Sequence, residues 1–174
     1  MTDKNETAYH LQWNPLTPDA SFSVFSIAEE IHTELGERRE VFEEKITLAP
    51  SFCRGLYADT TLVGYGIAHP WTLYSIPPLD SFIHDLPVNP TCVYIHDVAL
   101  LPEMRGKGAA SEYIHFVKEQ AKKNKIDVIA LVSVYGTDVF WKKYGFTIMD
   151  SRKIESSLSA YGTTARYMIC TVLI

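Results

Sequence analysis

The hydrophobic positions of the chain change period several times, and each change marks an element. Tyr9 to Trp13 alternates as a short strand, and Asn14-Pro15 breaks it. Pro18-Asp19 then opens a stretch where Phe22, Phe25, Ile27, Ala28, Ile31 and Leu35 recur at roughly helical spacing, ended by Gly36. A charged helix follows from Arg38 to Ile46, with Val41 and Phe42 inward and Pro50 beyond it. Phe52 to Ala58 and Thr61 to Ala68 read as an antiparallel hairpin around Asp59-Thr60. The strongest strand is Thr91 to Leu101. Its alternation puts Val93, Ile95 and Asp97 on one side and Tyr94, His96, Val98 and Leu100 on the other. A helix then runs to about Lys123 with Ala110, Ile114, Val117 and Ala121 inward. Asp127 to Ser133 is a short apolar strand between helices, hence central. Thr137 to Tyr144 is a short helix stopped by Gly145, and Phe146 to Asp150 and Ala165 to Leu173 are closing strands.

Between the hairpin and the strongest strand, His69 to Pro90 breaks every period and carries five prolines. A structureless stretch of that length inside a domain is usually functional. The 174 residues suit one domain, residues 1–174, able to build its own core. With 47% hydrophobic and 21% charged residues the chain reads as globular rather than disordered. No apolar run is long enough to span a membrane. Met1 to Glu6 is polar and shows no secretory pattern, so a cytoplasmic location is expected. Cys53, Cys92 and Cys170 are odd in number and widely spaced, which fits reduced thiols and no zinc site.

Charge changes the picture more than composition does. Residues 1–103 hold 15 acids and 5 bases, whereas residues 104–174 hold 6 acids and 11 bases. Net charge is −5, so bulk nucleic-acid binding is not expected. The asymmetry suggests an anion at the basic end and a cation at the acidic end, although solvated helix faces produce the same imbalance. The basic end begins at Arg105-Gly106-Lys107-Gly108, between the strongest strand and its helix. Glycines permit a tight turn, and the first helical N–H groups have no partners inside the helix. They form an anion site that suits a pyrophosphate, with Arg105 and Lys107 adding charge and Ala109 and Ala110 leaving the approach open. The P-loop pattern and the third glycine of a dinucleotide fold are both absent. A glycine turn is equally how a plain structural corner is made.

The surroundings make the turn specific. Arg105-x-x-Gly108-x-Ala110 after an apolar strand resembles the coenzyme A pyrophosphate signature of the GNAT acetyltransferases. Val139 to Phe146 resembles the second block of that family, and the order of elements matches it over nearly the whole chain. The resemblance implies an α/β (α+β) fold: a single domain with a mixed, mostly antiparallel sheet of about seven strands and about four helices, splayed between strands 4 and 5. GNAT sequences of unassigned substrate share Ala68-His69-Pro70-Trp71, His96-Asp97 and the run from Tyr161 to Met168. The place of His96, nine residues before Arg105, is similar to that of a histidine in arylalkylamine N-acetyltransferases; Tyr94 stands where those have a second histidine.

Membership implies acetyl-CoA as cosubstrate, no metal, and a protein that is a monomer or homodimer. It implies that Val98, Ala99 and Leu100 pair with pantetheine, an N–H of Val98 or Ala99 facing the thioester oxygen, and that Arg105 to Ala110 hold the pyrophosphate. Phe140 and Trp141 wall the channel. Direct attack by a primary amine needs a base, since an alkylammonium has a pKa near 10.4. His96 is the candidate, directly or through water; an imidazole also often sits satisfied in a core. The resemblance also implies that the fourth strand splays after a bulge; Asp97, read on the opposite face of that strand from His96, reads as structural. The family's usual acid tyrosine falls on Trp141, and indole is not a practical proton source. Tyr144 is the acid favoured here, with Tyr135, Tyr161 and water as alternatives. Tyr57, Tyr65, Trp71, Tyr74, Asp80, Phe82 and Asp85 suit a small cationic amine, an arylalkylamine or polyamine, unless they simply pack. A protein lysine or N-terminus as acceptor, and a non-catalytic acyl-CoA-binding module, are the other readings.

Overall fold

The runs that alternate or stay apolar form strands, and the seven strands among the described residues join one sheet. The structure is a computed structural model and describes residues 10–173. In chain order the strands are β1 Leu11–Pro15, β2 Arg54–Ala58, β3 Thr61–Trp71, β4 Cys92–Leu100, β5 Val128–Ser133, β6 Thr147–Ile148 and β7 Arg166–Thr171. They lie in the order β1-β2-β3-β4-β5-β7-β6, all neighbours antiparallel except β4 and β5. The α-helices are α1 Ser21–Ile31, α2 Arg39–Leu48, α3 Ala109–Lys123, α4 Asp138–Lys142 and α5 Glu155–Ser159.

Several boundaries differ from the sequence reading, each for a local reason. Tyr9 and the polar Met1 to Glu6 lie outside the described residues. β1 does not break at Asn14-Pro15; both pair with β2, and an edge strand tolerates a proline whose missing donor faces outward. α1 ends at Ile31 rather than at Gly36, and its buried face is Ser21, Val24, Ile27 and Ala28, so Phe22 is left 64% exposed. β3 continues through His69-Pro70-Trp71, which pair with Tyr94, Val93 and Cys92. Proline fits there because β2 pairs with β3 no further than Gly66, leaving that edge free. The irregular stretch therefore begins after Trp71. β6 keeps only two of its five expected residues, and α5, with a single large apolar residue, left no periodic mark.

The correction that matters most concerns β4. Ile67 pairs with Asp97 but Ala68 pairs with Ile95, so His96 is an extra residue, a β-bulge. Alternation resets there. Val93, Ile95 and Val98 pack against the α3 side, whereas Asp97 reaches His32 and Tyr65 and His96 reaches Glu37 and Phe42, all on the α1–α2 side. Asp97 thus faces the same way as His96, not the opposite way. β4 and β5 pair only at Val93↔Ile129, Tyr94↔Ala130 and Ile95↔Leu131. Beyond the bulge the two strands part, and this is the splay.

Helices cover both faces. Tyr113, Ile114, Val117 and Ala121 of α3 bury against Val93, Ile95, Ile129, Leu131 and Met168. Val24, Ile27 and Ala28 of α1 and Phe42 and Ile46 of α2 bury against Tyr65, Ile67 and Ala99. Each such side chain removed from water contributes about 1.5–3 kcal/mol. The start of α3 is fixed by Trp13, whose indole N–H donates to Ala109 O at 3.0 Å while its ring stacks on Tyr113 at 5.2 Å. Tyr113 in turn donates to Phe52 O at 2.9 Å and lies flat over Gly66, where a Cβ would overlap the ring. Gly66→Ala is expected to destabilise the fold by about 3 kcal/mol, read as a lower urea midpoint at unchanged slope. An unchanged midpoint would mean that Tyr113 does not seat over Gly66.

Candidate functional site

The bulge, the splay and the glycine turn converge on one cleft of about 540 Å³. One wall is β4 from Val98 to Leu100 together with Arg105 and Ala110. Opposite stand Val134, Tyr135 and Thr137 from the β5–α4 connection and Phe140 and Trp141 from α4. The other end is lined by His32, Leu35 and Glu37 from the end of α1 and the segment after it, by Tyr94 and His96, and by Leu79 and Tyr161.

The turn has the conformation its glycines allow. Gly106 and Gly108 have φ of +73° and +83°, and a Cβ on either would meet nothing within 4 Å, so the backbone angle and not crowding calls for glycine. Glu112 N–H is bonded back to Gly108 O at 3.1 Å, which leaves the N–H groups of the preceding turn outside the helical pattern. Arg105 and Lys107 are exposed beside them, and Arg105 Nε donates to Leu100 O at 3.2 Å, pinning the turn to the end of β4. Open space, free donors and two cations fit a phosphorylated ligand.

This other end carries two crossed imidazole–carboxylate pairs. His96 Nε2 lies 2.7 Å from Glu37 Oε1, with the two side chains 3% and 7% exposed. His32 Nε2 lies 2.9–3.0 Å from both Asp97 oxygens, and Asp97 also accepts the Tyr65 hydroxyl at 2.5 Å. Residues 96 and 97, placed on one face by the bulge, thereby grip residues 37 and 32. Burial alone would raise the Glu37 carboxyl, but the His96 charge and hydrogen bond, Lys45 and the Asp80 N–H outweigh it and hold it at about 2. Burial would lower His32, but Asp97 reverses this and holds it above the ordinary histidine value. His69, behind His96 with the rings 6.4 Å apart, is pulled down to about 3 by burial and the His96 charge.

The segment after β3 is tied to this end by polar contacts. Glu37 Oε2 accepts Asp80 N–H at 3.1 Å, and Arg38 Nε donates to both Asp80 carboxylate oxygens at 3.0–3.1 Å. Buried Lys45 donates to Ser81 O at 3.1 Å, and Glu44 accepts the N–H groups of Ile83 and His84. Tyr161 donates to Pro77 O at 2.7 Å. Residues 79–84 form a strap held beside this end, with Leu79 lining the cleft.

Of the residues singled out from sequence, His96, Val98, Ala99, Leu100, Arg105, Ala110, Phe140 and Trp141 line the one cleft. Gly106, Lys107, Gly108 and Ala109 form the turn at its rim. Tyr144 does not line it; its ring packs on Phe140 and His115, over the α3 side. Nor do Tyr57, Tyr65, Trp71, Tyr74, Asp80, Phe82 and Asp85. Tyr65 is spent on Asp97, Asp80 on Arg38, and Trp71 on Ser75 O. The sequence reading missed Glu37, which follows the stretch read as helical, and His32, a polar position inside that stretch that the structure places just past the end of α1. The one available signal was an acidic residue next to Gly36 after a helix, and many loops share it.

Comparison with known proteins agrees with this geometry. Residues 9–146 match the family model described as "Acetyltransferase (GNAT) family". No curated protein sequence matches the chain. Among solved structures the chain is similar to Ard1 from Thermoplasma volcanium, with TM-score 0.72 and 17% identity over 94% of this chain and 99% of that one. It is similar to the loading GNATL domain of CurA from Lyngbya majuscula, with TM-score 0.74 and 12% identity over 94% and 98%. It is also similar to PaiA N-acetyltransferase from Thermoplasma acidophilum in complex with coenzyme A, with TM-score 0.65 and 14% identity over 93% and 99%. At such identities the likeness to each is one of fold.

Proposed function

The chain belongs to the GNAT acetyltransferase family, and from that premise we propose that it transfers the acetyl group of acetyl-CoA to the primary amine of a small cationic molecule, with His96 as base. One observation carries the reading: a single cleft holds both the freed backbone of Val98–Leu100 beside the glycine turn and the buried Glu37–His96 pair. The first is where an extended thioester chain would pair and find an N–H from Val98 or Ala99 for its oxygen. The second brings a proton acceptor and a negative charge to the place an ammonium would occupy. Arg105 to Ala110 would hold the pyrophosphate, with Phe140 and Trp141 walling the channel.

The acid is assigned away from Tyr144, which lies outside the cleft. Tyr135 stands among the cofactor-side residues, and burial, then Asp97 and Glu34, push its phenol up, so it keeps its proton. Its backbone is in the left-handed region at φ +55°, followed by Gly136 at +73°, a costly conformation for a tyrosine that sets where the ring stands. Tyr161 is already committed to Pro77 O.

A small acceptor is favoured over a peptide because the strap and the Tyr161–Pro77 bond hold residues 77–84 beside the Glu37 end, where the chain continuing beyond a peptide's amine would have to pass. Leu35, Leu79 and Tyr94 give that end an apolar wall for the body of the amine. The test is release of free thiol from acetyl-CoA across polyamines, arylalkylamines, amino acids and lysine peptides. Turnover confined to a small-amine class is the expected result. Turnover with peptides alone would overturn the acceptor reading, and acetyl-CoA binding without turnover would make this a binding module.

A further inference from the structure

Resting on the reading of His96 as base, we infer that Glu37 is a positioning residue that commits the His96 Nε2–H and leaves Nδ1 as the atom that takes the proton. The inference follows from hydrogen-bond arithmetic. An ionised carboxylate only accepts, so the ring nitrogen 2.7 Å from Glu37 Oε1 must donate. In the neutral ring the lone pair then belongs to Nδ1, which is buried and has no hydrogen-bond partner among the described residues. Glu37 is itself held on its other oxygen by Asp80 N–H, and Asp80 is gripped by Arg38 through Nε, its backbone N–H and Nη2. The choice of nitrogen is thus anchored to the strap.

The remaining groups around His96 leave this role to Glu37. Asp97, the next residue, is matched by His32 and Tyr65. Lys45 of α2 faces the pair and donates to Ser81 O. His69 of β3 is neutral, and Tyr94 and Tyr161 keep their protons. In the reaction the amine nitrogen gives its electron pair to the acetyl carbon, its proton goes to Nδ1 directly or through one water, and the C–S bond breaks with its pair on sulfur. The imidazolium so formed is met at once by the Glu37 charge.

The test is Glu37→Gln beside the unaltered protein. Nitrogen-15 NMR of histidine-labelled protein, with the His96 signals assigned by their loss in His96→Gln, is expected to show neutral His96 as the Nε2–H tautomer. In Glu37→Gln, kcat for the best amine is expected to fall tenfold to a hundredfold, roughly, with the KM for acetyl-CoA held within about threefold. The acid limb of the kcat profile should move about one unit or more to lower pH, because the imidazolium has lost its counter-charge. Glu37→Asp, which keeps the charge, should recover part of the rate and return the limb. An Nδ1–H tautomer in the unaltered protein, or a limb that stays in place, overturns the inference. If no amine supports turnover, the base reading fails instead, and the tautomer still decides whether Glu37 holds the ring as described.

Discussion

In His96→Ala, amine-dependent thiol release is expected to fall by about 10²–10⁴-fold, the range a positioned general base contributes. The loss should sit in kcat. The proposed cofactor wall, the backbone of Val98–Leu100 and the turn from Arg105 to Ala110, takes no hydrogen bond from the imidazole, whose partner is Glu37, so the Kd for acetyl-CoA should stay within about threefold. Residual rate should climb with pH, because more of the amine arrives already deprotonated. His96 is 3% exposed, and its removal leaves the Glu37 carboxylate buried without its partner; His96→Gln, which keeps a donor for Glu37, therefore separates lost chemistry from lost packing. A variant that folds and turns over at the normal rate would remove His96 from the reaction.

The second large effect is on stability below neutral pH, and its source is His69. In the folded chain burial holds His69 at about 3, while in the unfolded chain it titrates near 6.5. Between these values the unfolded state binds a proton that the folded state refuses. Stability then rises with pH, and on acidification it drops by about 1.4 kcal/mol per unit. The full contribution is present above pH 6.5 and is lost progressively as pH falls toward 3. From pH 6.5 to 4.5, a window in which Glu37 at about 2 remains ionised in the fold, the loss is about 2.3 kcal/mol, because the unfolded imidazole is already half protonated at the start of it. Urea unfolding at half-unit steps reads it directly. His69→Gln has nothing to protonate and should show a flatter curve over the same window, whatever its stability at pH 7. Parallel curves would mean that His69 takes up its proton in the folded state.

The elements legible in the sequence were those whose period runs unbroken. α3 carries Ile114, Val117 and Ala121 at one face and a glycine turn before it, and it lies where that pattern put it. That Val98–Leu100, Arg105 and Ala110 share one cleft was legible for a related reason: they are local, consecutive residues at one strand end and one turn. The other end of the cleft was not. Glu37 and His32 lie beyond the true end of α1 and meet β4 across 59 and 65 positions of chain. No spacing rule connects them. Asp97 was misplaced because a strand pattern assumes constant phase, and the extra residue at His96 shifts the phase by one. The aromatic and acidic residues of 57–85 stood out by composition alone, whereas the fold spends Tyr65 on Asp97, Trp71 on Ser75 O, Tyr74 on Tyr167, and Asp80 and Phe82 on Arg38.

The strap is a different kind of construction from the sheet beneath it. The sheet and helices hold through interlocked apolar surfaces, where a change at one residue is felt by all its neighbours. Residues 79–84 are instead fastened by Arg38, Glu44, Lys45 and Glu37, four polar side chains from one short stretch. The molecule thus separates what must be conserved to fold from what shapes the Glu37 end of the cleft. A lineage could rewrite the strap and its fasteners in a few steps while the apolar core beneath stayed as it was.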